Sequence, residues 1–189
     1  GKEYMPLPPP EIVRLGRSLI DAGARVVLGT HPHVMQPLET YQGGVICYSL
    51  GNLLFPAYPE QGLDFSGDGL LSMVVAIEIG TETAFVKGTT VVSFDEAGFL
   101  SCVPAPAAQA LLDDLTAKAP ELGTVEHERL WRQAVRKHEM QRLRRVLREE
   151  VLAAGWRGGT ARLLRLGRKN IVSVGRSLRE ILLTGKSCG

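Results

Sequence analysis

The chain has 189 residues, of which 44% are hydrophobic and 22% charged, the composition of an ordinary globular protein with a sizeable core. No run of about 18 or more apolar residues occurs, so the sequence predicts no transmembrane helix. Three widely spaced cysteines, Cys47, Cys102 and Cys188, indicate neither a disulfide framework nor a CxxC metal site. Because the chain begins at Gly1 with sequence typical of folded structure, we expect a fragment or a processed product.

Charge is divided unevenly between the two ends of the chain. Residues 1–125 carry six Lys/Arg and fourteen Asp/Glu, a balance of −8, whereas residues 126–189 carry sixteen and six, a balance of +10. This asymmetry indicates either a basic segment that faces an anionic partner or a solvated helix with a flexible tail. We therefore predict two regions, a main domain over residues 1–122 and a basic helical extension over residues 123–189.

The first part of the chain predicts a helix followed by two strands. The helix can open at Pro10 and meets a stop signal at Gly23. Its apolar positions recur at helical spacing, at Ile12, Leu15, Leu19 and Ile20. Residues 25–29 predict a short buried strand, and residues 45–50 predict a second. Helix, glycine turn and strand in this order are typical of a βαβ unit, which favours an α/β fold.

The middle of the chain predicts an antiparallel meander. Residues 71–79 alternate between apolar and other side chains with the two-residue period of a strand that is buried on one face. Residues 84–94 and 99–103 read as the returning strands, each preceded by a short turn.

The last part of the chain predicts helices. Residues 111–115 mark a short helix, and residues 126–154 carry an imperfect apolar stripe that indicates a long one. Residues 160–183 predict a final helix rich in arginine.

The sharpest chemical signal is Gly29-Thr30-His31-Pro32-His33, which directly follows the first predicted strand. Open α/β sheets bind ligands at the carboxyl ends of their strands, and neutral imidazole suits zinc, iron, manganese or nickel. Two histidines do not complete a site, since three or more protein ligands are usual. His31 and His33 are therefore either metal ligands with partners elsewhere or hydrogen-bonded loop residues.

Several motifs in residues 1–55 occur in the order seen in one protein family. They are GKEY at 1–4, LIDAGA at 19–24, VLGTHPHVMQ at 27–36, ETY at 39–41 and ICYSLGNLLF at 46–55. Together they resemble the CapA family of capsule and poly-γ-glutamate biosynthesis, whose pattern reads roughly HWGxEY, LIDxGADVVxGxHPHVxQxxE and YSLGNFxF.

The resemblance implies a fold and a set of roles. The fold would be the C-terminal part of a layered α/β/β/α sandwich of the calcineurin-like metallophosphoesterase type. His31 and His33 would bind one or more divalent metal ions, with Mn, Fe or Zn all suitable. Glu3 would be catalytic as a general acid or base or would lie near the metal, although it could also be a surface carboxylate. Asn52 would bind substrate, although it also suits a plain turn. The family histidine two residues before Gly1 is absent, so we expect an incomplete site.

The resemblance also leaves two functions open. The protein is either a metal-dependent hydrolase or transferase that acts on an anionic envelope polymer, or a non-catalytic accessory subunit of a polymer synthase or export complex. Its location would be the cell envelope or the membrane surface, with the cytoplasm as the alternative. The basic residues 126–189 could approach anionic lipid. No specific nucleic-acid partner is expected, because no recognition motif or aromatic stacking pattern accompanies the basic residues.

Overall fold

A computed structural model describes residues 3–53, 67–95 and 99–146 of the chain. It separates into two compact units, Gly1–Glu128 and Arg129–Gly189. This division falls after Glu128, whereas the change of composition suggested a boundary after Leu122. Within the described residues, no helix combines the length and the apolar character needed to cross a membrane.

The first helix, α1, runs over Pro10–Asp21 and opens with proline at its first position, as predicted. Its buried face consists of Val13, Gly16 and Ile20, and Gly16 lets the helix approach the side chain of Ile46 closely. The predicted apolar face was therefore partly wrong. Two of its members, Leu15 and Leu19, are exposed, because contact at the small Gly16 turns the helix toward a neighbouring stripe.

In the part of the chain that the structure describes, the first sheet has three strands in the order β1-β3-β2. Strand β1, Val26–Leu28, pairs in parallel with β3, Gly44–Cys47, and β2, Leu38–Tyr41, pairs with β3 in antiparallel. The prediction that β1 is buried was wrong: Leu28 is 64% exposed, and among the described strands β1 lies at the edge of this sheet.

Strand β2 was missed by the sequence analysis. It forms a hairpin with β3 through Gln42 and Gly43, which have φ of 47° and 79°, the left-handed geometry of a tight hairpin turn. The signal available in the sequence was the short run Leu38–Tyr41, which is followed by a turn that contains Gly43. Strand β3 also ends earlier than predicted, since the chain after Cys47 leaves the ladder toward the turn at Gly51.

The second sheet is the predicted meander. Its strands are β4, Leu71–Ile79, β5, Ala84–Phe94, and β6, Leu100–Cys102, and all neighbours are antiparallel. The two sheets join where the backbone N–H of Met73 donates to the carbonyl of Leu50, at 2.8 Å. The end of β3 is thereby held against the beginning of β4.

The helix α2 covers Ala105–Lys118 and is longer than the short helix predicted around residues 111–115. The helix α3, Val125–Val146, confirms the start of the predicted long helix. Thr124 caps it, because its Oγ1 accepts from the backbone N–H of His127 at 3.1 Å. The predicted continuation to residue 154 and the helix over residues 160–183 lie outside the described residues.

A buried polar cluster connects α1 to the first sheet. The carboxylate of Glu39 on β2 accepts from the guanidinium of Arg17 on α1, at 2.9 Å from Nε, and from the hydroxyl of Tyr48, at 2.5 Å. Arg17 also donates to the carbonyl of Leu122 at 2.7 Å and lies over the ring of Tyr41. The cluster therefore ties the helix, the sheet and the segment before α3 together.

The mixed helices and sheets confirm the predicted α/β class. The finer prediction of a metallophosphoesterase-like sandwich stays a prediction.

Candidate functional site

Three of the predicted site residues come together at one point. One ligand atom from each of Glu3, His31 and His33 lies within 4.8 Å of the others. Glu3 and His31 are exposed and His33 is half-buried, so the group opens to solvent. One carboxylate and two imidazoles are a donor set that suits Zn, Mn or Fe, and the residues present therefore fit the predicted metal.

The loop that carries the two histidines has an unusual backbone. It begins at Gly29, whose N–H donates to the carbonyl of Cys47 at 2.7 Å; a Cβ at this position would overlap the backbone carbonyl of Tyr48. His31 and His33 then take φ of 92° and 61°, in the left-handed region that side chains rarely adopt. Backbone strain of this kind persists only where the surrounding structure fixes the conformation, and it is common at functional sites. In this conformation the two imidazole rings lie close together, with their centroids 5.8 Å apart.

The N-terminal loop brings Glu3 to the histidines. The backbone N–H of Tyr4 donates to the carbonyl of Pro32, at 2.7 Å, which joins the loop to the middle of the HPH sequence. The buried side chain of Gln36 donates to the carbonyl of Met5 at 2.9 Å. Burial raises the pKa of Tyr4, and the charge of Glu3 raises it further, so the phenol beside His33 stays protonated near neutral pH.

A third contact on this loop comes from the start of α3. The ring Nε2 of His127 donates to the carbonyl of Pro8 at 3.0 Å, while Nδ1 accepts from the N–H of Gly123 at 3.2 Å. Both nitrogens are thus satisfied in the neutral ring. Burial lowers the pKa of His127, because the charged ring would be desolvated, and the positive charge of Arg17 lowers it further.

Asn52, which was predicted to bind substrate, lies in the turn after β3 and contacts His33. Its Oδ1 is 2.7 Å from Nδ1 of His33. Its Nδ2 is 3.3 Å from the carbonyl oxygen of His33 and 3.0 Å from that of Gly69. The amide therefore orients the loop and one imidazole.

A groove of about 340 Å³ begins at His31 and follows α1 and β1. Its wall is mainly apolar and includes the exposed Leu15, Leu19 and Leu28, so it differs in chemistry from the polar group at its end.

Sequence reasoning missed the parts played by Tyr4, Gln36 and His127. Tyr4 and Gln36 stand within the family motifs, which was a usable signal. His127 stands far from those motifs, and neither its spacing nor its surroundings in the sequence suggested a contact with Pro8.

Fold and site together define an α/β protein with a histidine–carboxylate group at the carboxyl end of a strand. Residues 1–57 match the family described as "Bacterial capsule synthesis protein PGA_cap". Over 71 residues the chain is 41% identical to "Capsule biosynthesis protein CapA" of Bacillus anthracis, which covers 38% of this chain and 16% of that relative. It is 49% identical over 71 residues to "PGA biosynthesis protein CapA" of Bacillus subtilis (strain 168), covering 38% of this chain and 18% of the relative.

These matches confirm the resemblance to the CapA family, and the family match lies within residues 1–57. The match spans less than a fifth of the length of the curated relatives.

Proposed function

We propose that this protein takes part in capsule or poly-γ-glutamate biosynthesis as a metal-dependent hydrolase or transferase that acts on an envelope polymer. The observation that carries the proposal is the convergence of Glu3, His31 and His33 within 4.8 Å of one another at a strand end. The names of the matching family and relatives, which refer to capsule and PGA biosynthesis, support this choice of polymer class.

In this proposal the two imidazoles of His31 and His33 and the carboxylate of Glu3 would hold one divalent cation. A bound cation supplies Lewis acidity and lowers the pKa of a water molecule toward neutrality. Glu3 has two carboxylate oxygens and is exposed, so one oxygen can hold the cation while the other accepts a proton from the attacking water. Asn52 keeps the imidazole of His33 in its orientation.

Charge gives the proposal a further consequence. Residues 1–125 have a balance of −8, which opposes the approach of an anionic polymer to this part of the chain, whereas residues 126–189 have a balance of +10 and attract it. A cation held by Glu3, His31 and His33 would offset the negative charge locally, so poly-γ-glutamate should bind more tightly to the metal-loaded chain than to the metal-free chain.

The first test is metal binding by equilibrium dialysis against Zn²⁺ and Mn²⁺. Wild type should bind about one ion per chain, and the His31→Ala/His33→Ala variant should bind none, since one carboxylate alone is a weak site. Glu3→Gln is compared with Glu11→Gln, an exposed carboxylate on α1. Weaker binding in Glu3→Gln alone supports a ligand role, whereas unchanged binding in both leaves Glu3 only a role in proton transfer.

The second test is the polymer itself. Poly-γ-glutamate is incubated with the metal-loaded chain, and its length distribution is measured by size-exclusion chromatography beside the double histidine variant. Shortening or transfer that depends on the metal supports the enzyme. Metal binding with an unchanged polymer favours the accessory subunit, the other function that the family resemblance leaves open.

A further inference from the structure

The orientation of the Asn52 amide follows from its partners. Two of its contacts are with backbone carbonyl oxygens, those of His33 at 3.3 Å and Gly69 at 3.0 Å. A carbonyl oxygen only accepts, so the amide NH₂ must face both of them. The amide oxygen then faces Nδ1 of His33, at 2.7 Å. The reverse orientation would set an oxygen against two oxygens.

This orientation determines the tautomer of His33. An amide oxygen cannot donate, so the hydrogen in the 2.7 Å contact must belong to Nδ1 of the ring. In the neutral imidazole the lone pair then lies on Nε2. An isolated histidine favours the opposite tautomer, with its hydrogen on Nε2, so the contact with Asn52 reverses an intrinsic preference.

We propose that Asn52 is a positioning residue that holds His33 as the Nδ1–H tautomer and so presents Nε2 to a divalent cation. The inference rests on the proposed metal function and assigns Asn52 a role through His33 rather than on substrate. Hydrogen bonds to the second nitrogen of a metal-binding histidine fix its tautomer and ring orientation, and their loss typically costs about 10- to 100-fold in metal affinity.

The turn around Asn52 is built to keep this contact. Gly51 has φ of 88°, and a Cβ there would overlap the backbone of β4. The backbone N–H of Leu53 donates to Oγ of Ser72 at 2.8 Å. Asn52 is thus held on both sides: it follows Gly51, a position that only glycine fits, and it precedes Leu53, whose backbone is hydrogen-bonded to β4.

The test has two arms and uses the whole chain. In the metal-free chain, ¹⁵N NMR of the imidazole nitrogens reports the tautomer of His33, whose signals are assigned by their loss in His33→Gln. In the second arm, isothermal titration with Zn²⁺ gives the affinity. The variant is Asn52→Ala, which removes the acceptor. Ser72→Ala is the control, because it loosens the same turn without touching His33.

We expect the Nδ1–H tautomer in wild type and Ser72→Ala, and a mixture or the opposite tautomer in Asn52→Ala. Zn²⁺ affinity should fall about 10- to 100-fold in Asn52→Ala and much less in Ser72→Ala. The inference is overturned if wild-type His33 carries its hydrogen on Nε2, or if Asn52→Ala keeps both the wild-type tautomer and affinity. A chain with the Nδ1–H tautomer that binds no Zn²⁺ instead overturns the proposed metal function while supporting the tautomer assignment.

Discussion

The buried ion pair between Arg17 and Glu39 gives the most direct test of what stabilises the first sheet. The change is Arg17→Met, which keeps most of the side-chain length and removes the charge. Glu39 is 8% exposed and would keep one hydrogen bond, from the hydroxyl of Tyr48. Leaving a charge buried without its partner costs about 3–5 kcal/mol. Arg17 is itself 28% exposed, so we expect the lower end, about 3 kcal/mol, or roughly 100-fold in the opening equilibrium.

The assay is hydrogen–deuterium exchange of the β3 amides, which reports the free energy of opening this sheet. The matched control is Lys87→Met, which breaks a pair with Glu78 at side-chain exposures of 60% and 48%. A pair so exposed contributes about 0–1 kcal/mol. The variant Arg17→Met/Glu39→Gln removes the orphaned charge and should recover at least half of the loss. Equal effects of Arg17→Met and Lys87→Met, or no recovery in the double variant, would refute the electrostatic argument.

Three further predictions follow from single side chains. Burial lowers the pKa of His127, so below about pH 6.5 this imidazole binds a proton in the unfolded chain more readily than in the folded chain. The contribution of His127 to stability should therefore be fully present above that pH and should be lost as the pH falls below it. The melting temperature, measured across this range, should decline less in His127→Gln, because glutamine can donate and accept hydrogen bonds without titrating. Gly29→Ala should destabilise the chain by about 1–3 kcal/mol, because its Cβ overlaps a backbone carbonyl, whereas Gly88→Ala has open space and should change denaturation little; equal effects would count against the close approach. Burial raises the pKa of Cys47 to about 11, so a thiol reagent at neutral pH should label the exposed Cys102 first and Cys47 only on unfolding, as read by peptide mass spectrometry; rapid labelling of Cys47 would contradict its burial.

The candidate site combines a family motif with a constraint from outside that motif. Glu3, His31 and His33 all lie within the matched residues 1–57. The loop that carries Glu3 is nevertheless bonded at Pro8 to His127, well beyond the match. A variant that removes residues after the match should therefore disturb the position of Glu3, even though it leaves the motif intact.

Local features of the sequence were sufficient to predict several elements. The proline at the start of α1, the glycine after it and the two-residue alternation of β4 each act on the backbone nearby, so their outcome does not depend on distant residues. The position of the HPH motif, directly after β1, could likewise be predicted from the residues around it. For these elements the local preference and the final fold agree.

Tertiary structure decided the rest, because the deciding contacts join residues far apart in the chain. Packing at Gly16 determined which stripe of α1 is buried, and the pairing of the described strands places β1 at the edge of its sheet. The contact between Asn52 and His33 spans 19 residues, and that between His127 and Pro8 spans 119. The sequence shows which donors and acceptors exist, but closing loops of this length depends on the whole fold, so only the folded chain shows which of them meet.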